Sequence, residues 1–199
     1  MRGISPSALL PAIIVIAAGC SDRVTTPTEL TATQQPGLSA AVASAGGRQG
    51  FGFNGTASGF PTGAVFLTGG GSYAAATASN TLPSETQVAS GGGFRCTAGV
   101  GQGPLAGCAA GEGVRWDTAQ LLASTNFKCT GADALKRAST GAATAVLLAD
   151  FYRAGDGIDE SFTAQMIVSD TDLAPDVPGE QNLWVQGVGC GTAVVHFSR

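Results

Sequence analysis

Histidine is nearly absent from this 199-residue chain, lysine and arginine together number ten, and aromatic residues make up only 7%. Each shortage removes a class of function. One histidine, His196, and no C-x-x-C pair leave nothing for a zinc site of the usual ligand spacing. Any Ser-His-Asp mechanism would have to run through His196, and no G-x-S-x-G elbow accompanies it. Ten basic residues against fourteen acidic ones, a net charge of −4, offer no basic face to nucleic acid phosphates. The apolar run from Ala8 to Ala18 is about eleven residues, against the roughly 20 of a spanning helix, and Pro11 interrupts it. The glycine-rich stretch "GVGQGPLAG" (99–107) fits neither a dinucleotide fingerprint nor a phosphate loop.

What is present begins with "IVIAAGCSD" (14–22). One basic residue (Arg2), a short apolar core and small residues at its end describe a secretory signal peptide. Ala17-Ala18-Gly19-Cys20 resembles the lipobox of bacterial lipoproteins, although that family prefers Leu where this chain has Ala17. The resemblance implies removal of residues 1–19, lipidation of Cys20 and membrane anchoring through the N-terminal lipid. Ser21 resembles the outer-membrane-sorted class. Acyl chains contribute about 0.8 kcal/mol per buried CH₂, and two or more hold stably. Cleavage deletes one basic residue and no acidic one, leaving nine against fourteen, so the lipid would hold the chain without a polybasic helper.

Four cysteines follow Cys20, an even number that in an exported chain reads as two disulfides with three connectivities open. The preferred pairing is Cys96–Cys108 with Cys129–Cys190. Their loops of about 13 and about 62 residues would contribute about 3 and about 4 kcal/mol by chain entropy.

Residues 20–49 are rich in Thr, Ser, Ala, Gln and Pro and poor in large apolar residues, so they read as a lipidated cysteine and flexible linker. Such a coil spans roughly 30 Å. From residue 50 to 199, short runs rich in Val, Phe, Thr and Tyr alternate with Gly, Asn and Asp clusters, the pattern of an antiparallel β domain. The fold expected is all-β, a single sandwich or flattened barrel of about eight to ten strands. "ATAVLLADFY" (143–152) and "SFTAQMIVS" (161–169) read as a hairpin, with Phe162, Ala164, Met166 and Val168 on one face. "NLWVQGV" (182–188) and "TAVVHF" (192–197) read as a second pair joined by Gly189-Cys190-Gly191. "ADALKRA" (132–138) is the single helical candidate. "TGGGSYAAAT" and "SGGGFRCTA" echo each other and read as glycine-bulged strand starts.

Three segments taken together, 94–122, 149–166 and 184–197, resemble a group of exported bacterial proteins of unknown function. The resemblance implies the β fold and carries no catalytic or binding role.

Eight acidic residues fall between Asp150 and Glu180. Asp156, Asp159, Asp170, Asp172 and Asp176 are the candidates for a calcium site, although neither of their loops matches an EF-hand. Solvated turns are the plainer reading. Asp117 with Asp150 is a conceivable acid–base pair. Trp116 and Trp184 read as core residues, with a ligand platform as the alternative. The function expected is a non-enzymatic envelope lipoprotein, structural or ligand-binding, with a protein or glycan partner. A calcium-stabilised adhesion domain and a hydrolase are the alternatives.

Overall fold

The computed structural model describes residues 47–81, 88–152 and 161–199. Within them lie eleven strands: β1 (Gln49–Gly59), β2 (Ala64–Tyr73), β3 (Val88–Ala98), β4 (Arg115–Leu121), β5 (Ser124–Phe127), β6 (Lys136–Ser139), β7 (Thr144–Tyr152), β8 (Ser161–Ser169), β9 (Leu183–Val185), β10 (Gly189–Gly191) and β11 (Ala193–Ser198). Strands β1, β2, β3, β4, β7, β8, β9 and β10 are antiparallel neighbours in that order. β10 then returns to β1, with Ser58 opposite Cys190 and Gly59 opposite Gly189. The circuit closes, so the fold is a barrel of eight strands rather than two stacked sheets, which removes most exposed strand edges. β11 carries on from β10 along the same side of β1, from Gly55 opposite Ala193 to Gly50 opposite Ser198. β5 and β6 form a separate hairpin in the β4–β7 connection.

Alternation of apolar side chains fills the interior. Leu147, Ala149 and Phe151 of β7 and Ala164, Met166 and Val168 of β8 are all fully buried. The β7–β8 hairpin has the pairing its pattern predicts, with Tyr152 opposite Ser161 and Ala145 opposite Val168. Trp116 of β4 lies across the glycine triplets. Its Nε1 donates to Thr68 O at 2.9 Å. A Cβ on Gly69 would sit 2.7 Å from the indole Cζ2, and one on Gly92 would collide with Thr68 O. The triplets are therefore mid-strand, with Gly70 opposite Gly91, and not the strand starts expected from their echo.

Phe51, Tyr73 and Phe197 gather at one mouth, with ring centroids 5.8 to 6.4 Å apart. The Tyr73 hydroxyl donates to Gly141 O at 2.7 Å, and burial pushes its pKa up to about 12. The other mouth carries the segment between β3 and β4. Leu105 and Val100 on it are buried in the interior cluster, and Cys108 is joined to Cys96 of β3. The stretch 99–107, which reads as a flexible excursion from composition, is thus a plug. Apolar Val100 and Leu105 are spaced among its glycines, and mutual hydrogen bonds with Cys108 and Gly107 hold it folded.

Two further expectations are corrected. Residues 132–138 form no helix: a bend at 131–133 leads into β6, and Lys136 pairs opposite Phe127. Seven residues are too few for a helix to stand without tertiary support. β9 pairs with β10 around a turn at Gln186-Gly187-Val188, whereas the segment 193–198 pairs with β1. Gly187 takes φ 83°, the left-handed conformation the turn requires. Asn182 joins the two, accepting from Ala193 N–H at 2.7 Å and donating to Ala193 O at 2.9 Å.

A second core lies outside the barrel wall. The β5–β6 hairpin and the segment 170–181 cover Val146, Ile167 and Trp184, and Phe127 and Ala174 fill the space between. Trp184 Nε1 donates to Lys128 O at 3.1 Å, and the Cys129–Cys190 disulfide joins the hairpin connection to β10.

Replacing Leu105 by Ala will lower stability by about 2–5 kcal/mol in urea unfolding, the usual loss for a buried leucine. The exposed Leu135→Ala change will stay within about 0.5 kcal/mol. Equal, small effects would mean the plug is not part of the core. Tyr73 adds a pH dependence. A pKa raised in the folded state gives stability that is present below the ordinary tyrosine value near 10 and lost as pH climbs from 10 through 12. A Tyr73→Phe variant will show a shallower loss of melting temperature across that window than the wild-type chain.

Candidate functional site

Of the residues singled out by sequence, Cys20, Asp156 and Asp159 lie outside the described residues. Asp170, Asp172 and Asp176 are exposed and do not converge. Asp172 Oδ1 accepts from the backbone N–H groups of Ala174 at 2.9 Å and Gln181 at 3.1 Å, closing the turn after β8. Asp176 Oδ2 lies 3.0 Å from Lys136 Nζ, which also stands 3.5 Å from Asp133. The hydrogen bond to Thr130 holds the Asp133 carboxyl below the usual range, and the one to Asp176 raises Lys136. These side chains therefore tie the 170–181 segment to β6. Among the described residues no three His, Cys, Asp or Glu side chains group as metal ligands.

Trp116 and Trp184 are both buried, as core residues should be, and His196 is exposed on β11 opposite Gly52. The register of β4 and β7 sets Asp117 directly opposite Asp150 on the outer wall. Asp150 accepts from the Thr163 hydroxyl at 2.6 Å, and Asp117 lies 3.7 Å from Arg115. Like charges across a strand pair repel, and these partners relieve them. The Asp117 side chain is half-exposed, so the pair lies on open surface rather than in an enclosed cleft.

Trp116, Tyr73, Phe151 and Leu67 fill the barrel axis, so this barrel does not hold a ligand as a cup does. Hollows among the described residues lie on the outer wall; one of about 450 Å³ flanks the Cys129–Cys190 disulfide, and two others differ in character. The larger, about 540 Å³, runs over Gly93 between β2 and the segment leading into β4. Phe66 (38% exposed), Val114 (54% exposed) and Arg95 flank it. Beside it the Arg115 guanidinium lies 4.6 Å over the Tyr152 ring.

The second hollow follows the flank of β5. At one end Ser124, Thr125, Arg137 and Gln165 surround a polar space of about 260 Å³. At the other, Phe60, Pro61, Phe127 and Leu135 form an apolar shelf of about 190 Å³. Asn126 lines both. The Gln165 backbone N–H donates to Gln186 Oε1 at 3.1 Å, joining the two floors. Arg137 Nη2 donates to Ser124 Oγ at 2.7 Å, and the Thr125 hydroxyl donates to Gln165 Oε1. Asn80 supports the wall, its Oδ1 accepting from Ala123 and Ser124 N–H and its Nδ2 donating to Ser124 O. Sequence spacing carries no signal for this hollow, because Asn126 and Arg137 meet only through the β5–β6 register.

Comparison with protein-family models, curated proteins and solved structures finds no match to this chain.

The Asp172 turn generates a direct test. Asp172→Ala removes the acceptor of two backbone N–H groups and will lower stability by about 1 kcal/mol. The loss will be the same with excess EDTA and with added calcium. A loss seen only with calcium present would make Asp172 a metal ligand.

Proposed function

We propose that this chain is an exported lipoprotein whose barrel serves the cell envelope as a non-enzymatic binding module, displayed on a tether from lipidated Cys20. The observation that supports the reading is the pairing of a lipobox-like N-terminus with a disulfide-stapled barrel filled along its axis. Two disulfides fit an oxidising compartment. Among the described residues no helix is long and apolar enough to cross a membrane, and on this reading the lipid supplies the attachment. With two or more acyl chains on Cys20, attachment is stable at any ionic strength. Such an arrangement leaves the outer wall and its hollows to meet a ligand or partner, and Ser21 favours the outer membrane.

Intact mass of the protein taken from the membrane fraction tests the reading. The expected mass is that of residues 20–199 plus lipid, rising by about four daltons on reduction of two disulfides. A Cys20→Ser variant will leave the membrane fraction while keeping the wild-type melting temperature. Recovery of that variant in the membrane fraction, or a chain cut elsewhere and free of lipid, would overturn the anchor.

A further inference from the structure

We infer that the hollow along β5 is a binding site for a carboxylated saccharide, a proposal that rests on the binding-module reading above and names its ligand class. The argument starts from which polar groups are already used. Gln165 and Gln186 spend their Oε1 atoms inside the protein, leaving both Nε2 groups as donors without a partner among the described residues. Arg137 uses one N–H on Ser124 and faces no carboxylate among the described residues. Lys128, on the shelf side, likewise has no ion pair there. Asn126, exposed where the two halves meet, keeps its whole amide free.

The unsatisfied groups are thus almost all donors, and no acidic side chain lines either half. In a chain of net charge −4 that local exclusion of carboxylates is a selective feature. Such a hollow recognises acceptors, and an anionic acceptor most strongly, because charge-assisted hydrogen bonds are about twice as strong as neutral ones. The neighbouring shelf asks for something else. Phe60, Pro61 and Leu135, the last 64% exposed, present flat apolar surface beside the amides. One ligand class carries both features on one rigid ring: a uronate, with a carboxylate and hydroxyl oxygens at the edge and C–H groups on its face. Asn126 suits its hydroxyls, since its amide offers a donor and an acceptor in one plane, and the two glutamine Nε2 groups add donors. Two adjoining spaces that share Asn126 along β5 suit an oligomer rather than a single sugar. Across the wall, the larger hollow over Gly93 lacks this amide set and serves as the internal control.

The test uses the mature lipoprotein in detergent, titrated with short galacturonic acid oligomers and with malto-oligosaccharides of equal length. Trp184 borders the shelf whereas Trp116 lies inside the barrel, so a tryptophan fluorescence change reports occupancy of this hollow. Saturable binding of the uronate oligomer is expected, weakening as salt rises, with the neutral oligomer at least ten-fold weaker. Arg137→Ala will lose ten-fold or more in affinity, Asn126→Ala will lose several-fold, and Phe66→Ala in the other hollow will leave affinity unchanged. Near-UV circular dichroism checks that each variant is folded. The proposal is overturned if no uronate binds saturably, if neutral oligomers or hexaglutamate bind as well, or if folded Arg137→Ala and Asn126→Ala bind like wild type. Loss of binding in Phe66→Ala alone would move the ligand to the other hollow and equally overturn the assignment. None of these outcomes touches the lipid anchor, which the mass and fractionation measurements decide separately.

Discussion

The indole of Trp116 sets the bore of this barrel. It lies across β2 and β3 where glycines bring the backbone close, with its N–H fixed to Thr68 O. Phe53 tilts against it at 5.8 Å from within β1. Burying an aromatic side chain of 150–250 Å² contributes about 4–6 kcal/mol at the usual area coefficient. Each strand glycine costs about 0.5–1 kcal/mol in backbone entropy. Thus the inward glycines that make the space are outweighed by the ring that fills it. A smaller residue at position 116 would leave a void along the axis, and a larger one at Gly69 would collide with the ring. The eight strands close around this fit, and the plug carrying Leu105 finishes the packing from one mouth.

How legible the fold was depends on which force ruled each segment. The β7–β8 hairpin was readable because its inward positions are apolar without interruption, so alternation alone determined the register. The C-terminal segments misled because "QGVGCG" offers three glycines within six residues, and glycine content alone cannot say which makes the turn. Gly187 does so, while Cys190 and Gly191 stay in the ladder. "ADALKRA" misled through local propensity. Its Asp133–Lys136 pair has helical spacing, yet Lys136 answers to Phe127 across β5 and to Asp176 from another segment. The plug misled because glycine suggests freedom, and composition does not weigh two buried apolar side chains against it.

The candidate site was legible in the opposite proportion. A signal of the lipobox type is linear, so its residues stand beside one another in the chain. The β5 hollow draws Asn80, Ser124, Arg137 and Gln165 from four separate stretches, and only tertiary contact assembles them. Likewise, nothing in spacing distinguishes Asp117 with Asp150 from any other acidic pair, yet the β4–β7 register sets them face to face. Acidic density between residues 150 and 180 offered calcium only as an alternative to solvated turns. In the described part of that stretch Asp172 accepts from backbone N–H groups and Asp176 pairs with Lys136.

A filled axis and a second core outside the wall have a joint consequence for where function can reside. Side chains that close the barrel are committed to packing, so the proposed binding role falls to what is added to it. The addition here is the β5–β6 hairpin, which makes only a two-stranded sheet of its own and would be marginal alone. Three constraints hold it in place: Phe127 against Trp184 at 6.0 Å, the Lys136 ion pair to Asp176 of the segment 170–181, and the Cys129–Cys190 disulfide. Only the disulfide is covalent, and it reaches β10, the strand through which the barrel closes onto β1. The staple that positions the β5 hollow is therefore anchored at the closure point of the barrel. An oxidising compartment suits both the fold and the surface it displays, so the export reading and the binding reading depend on the same bond.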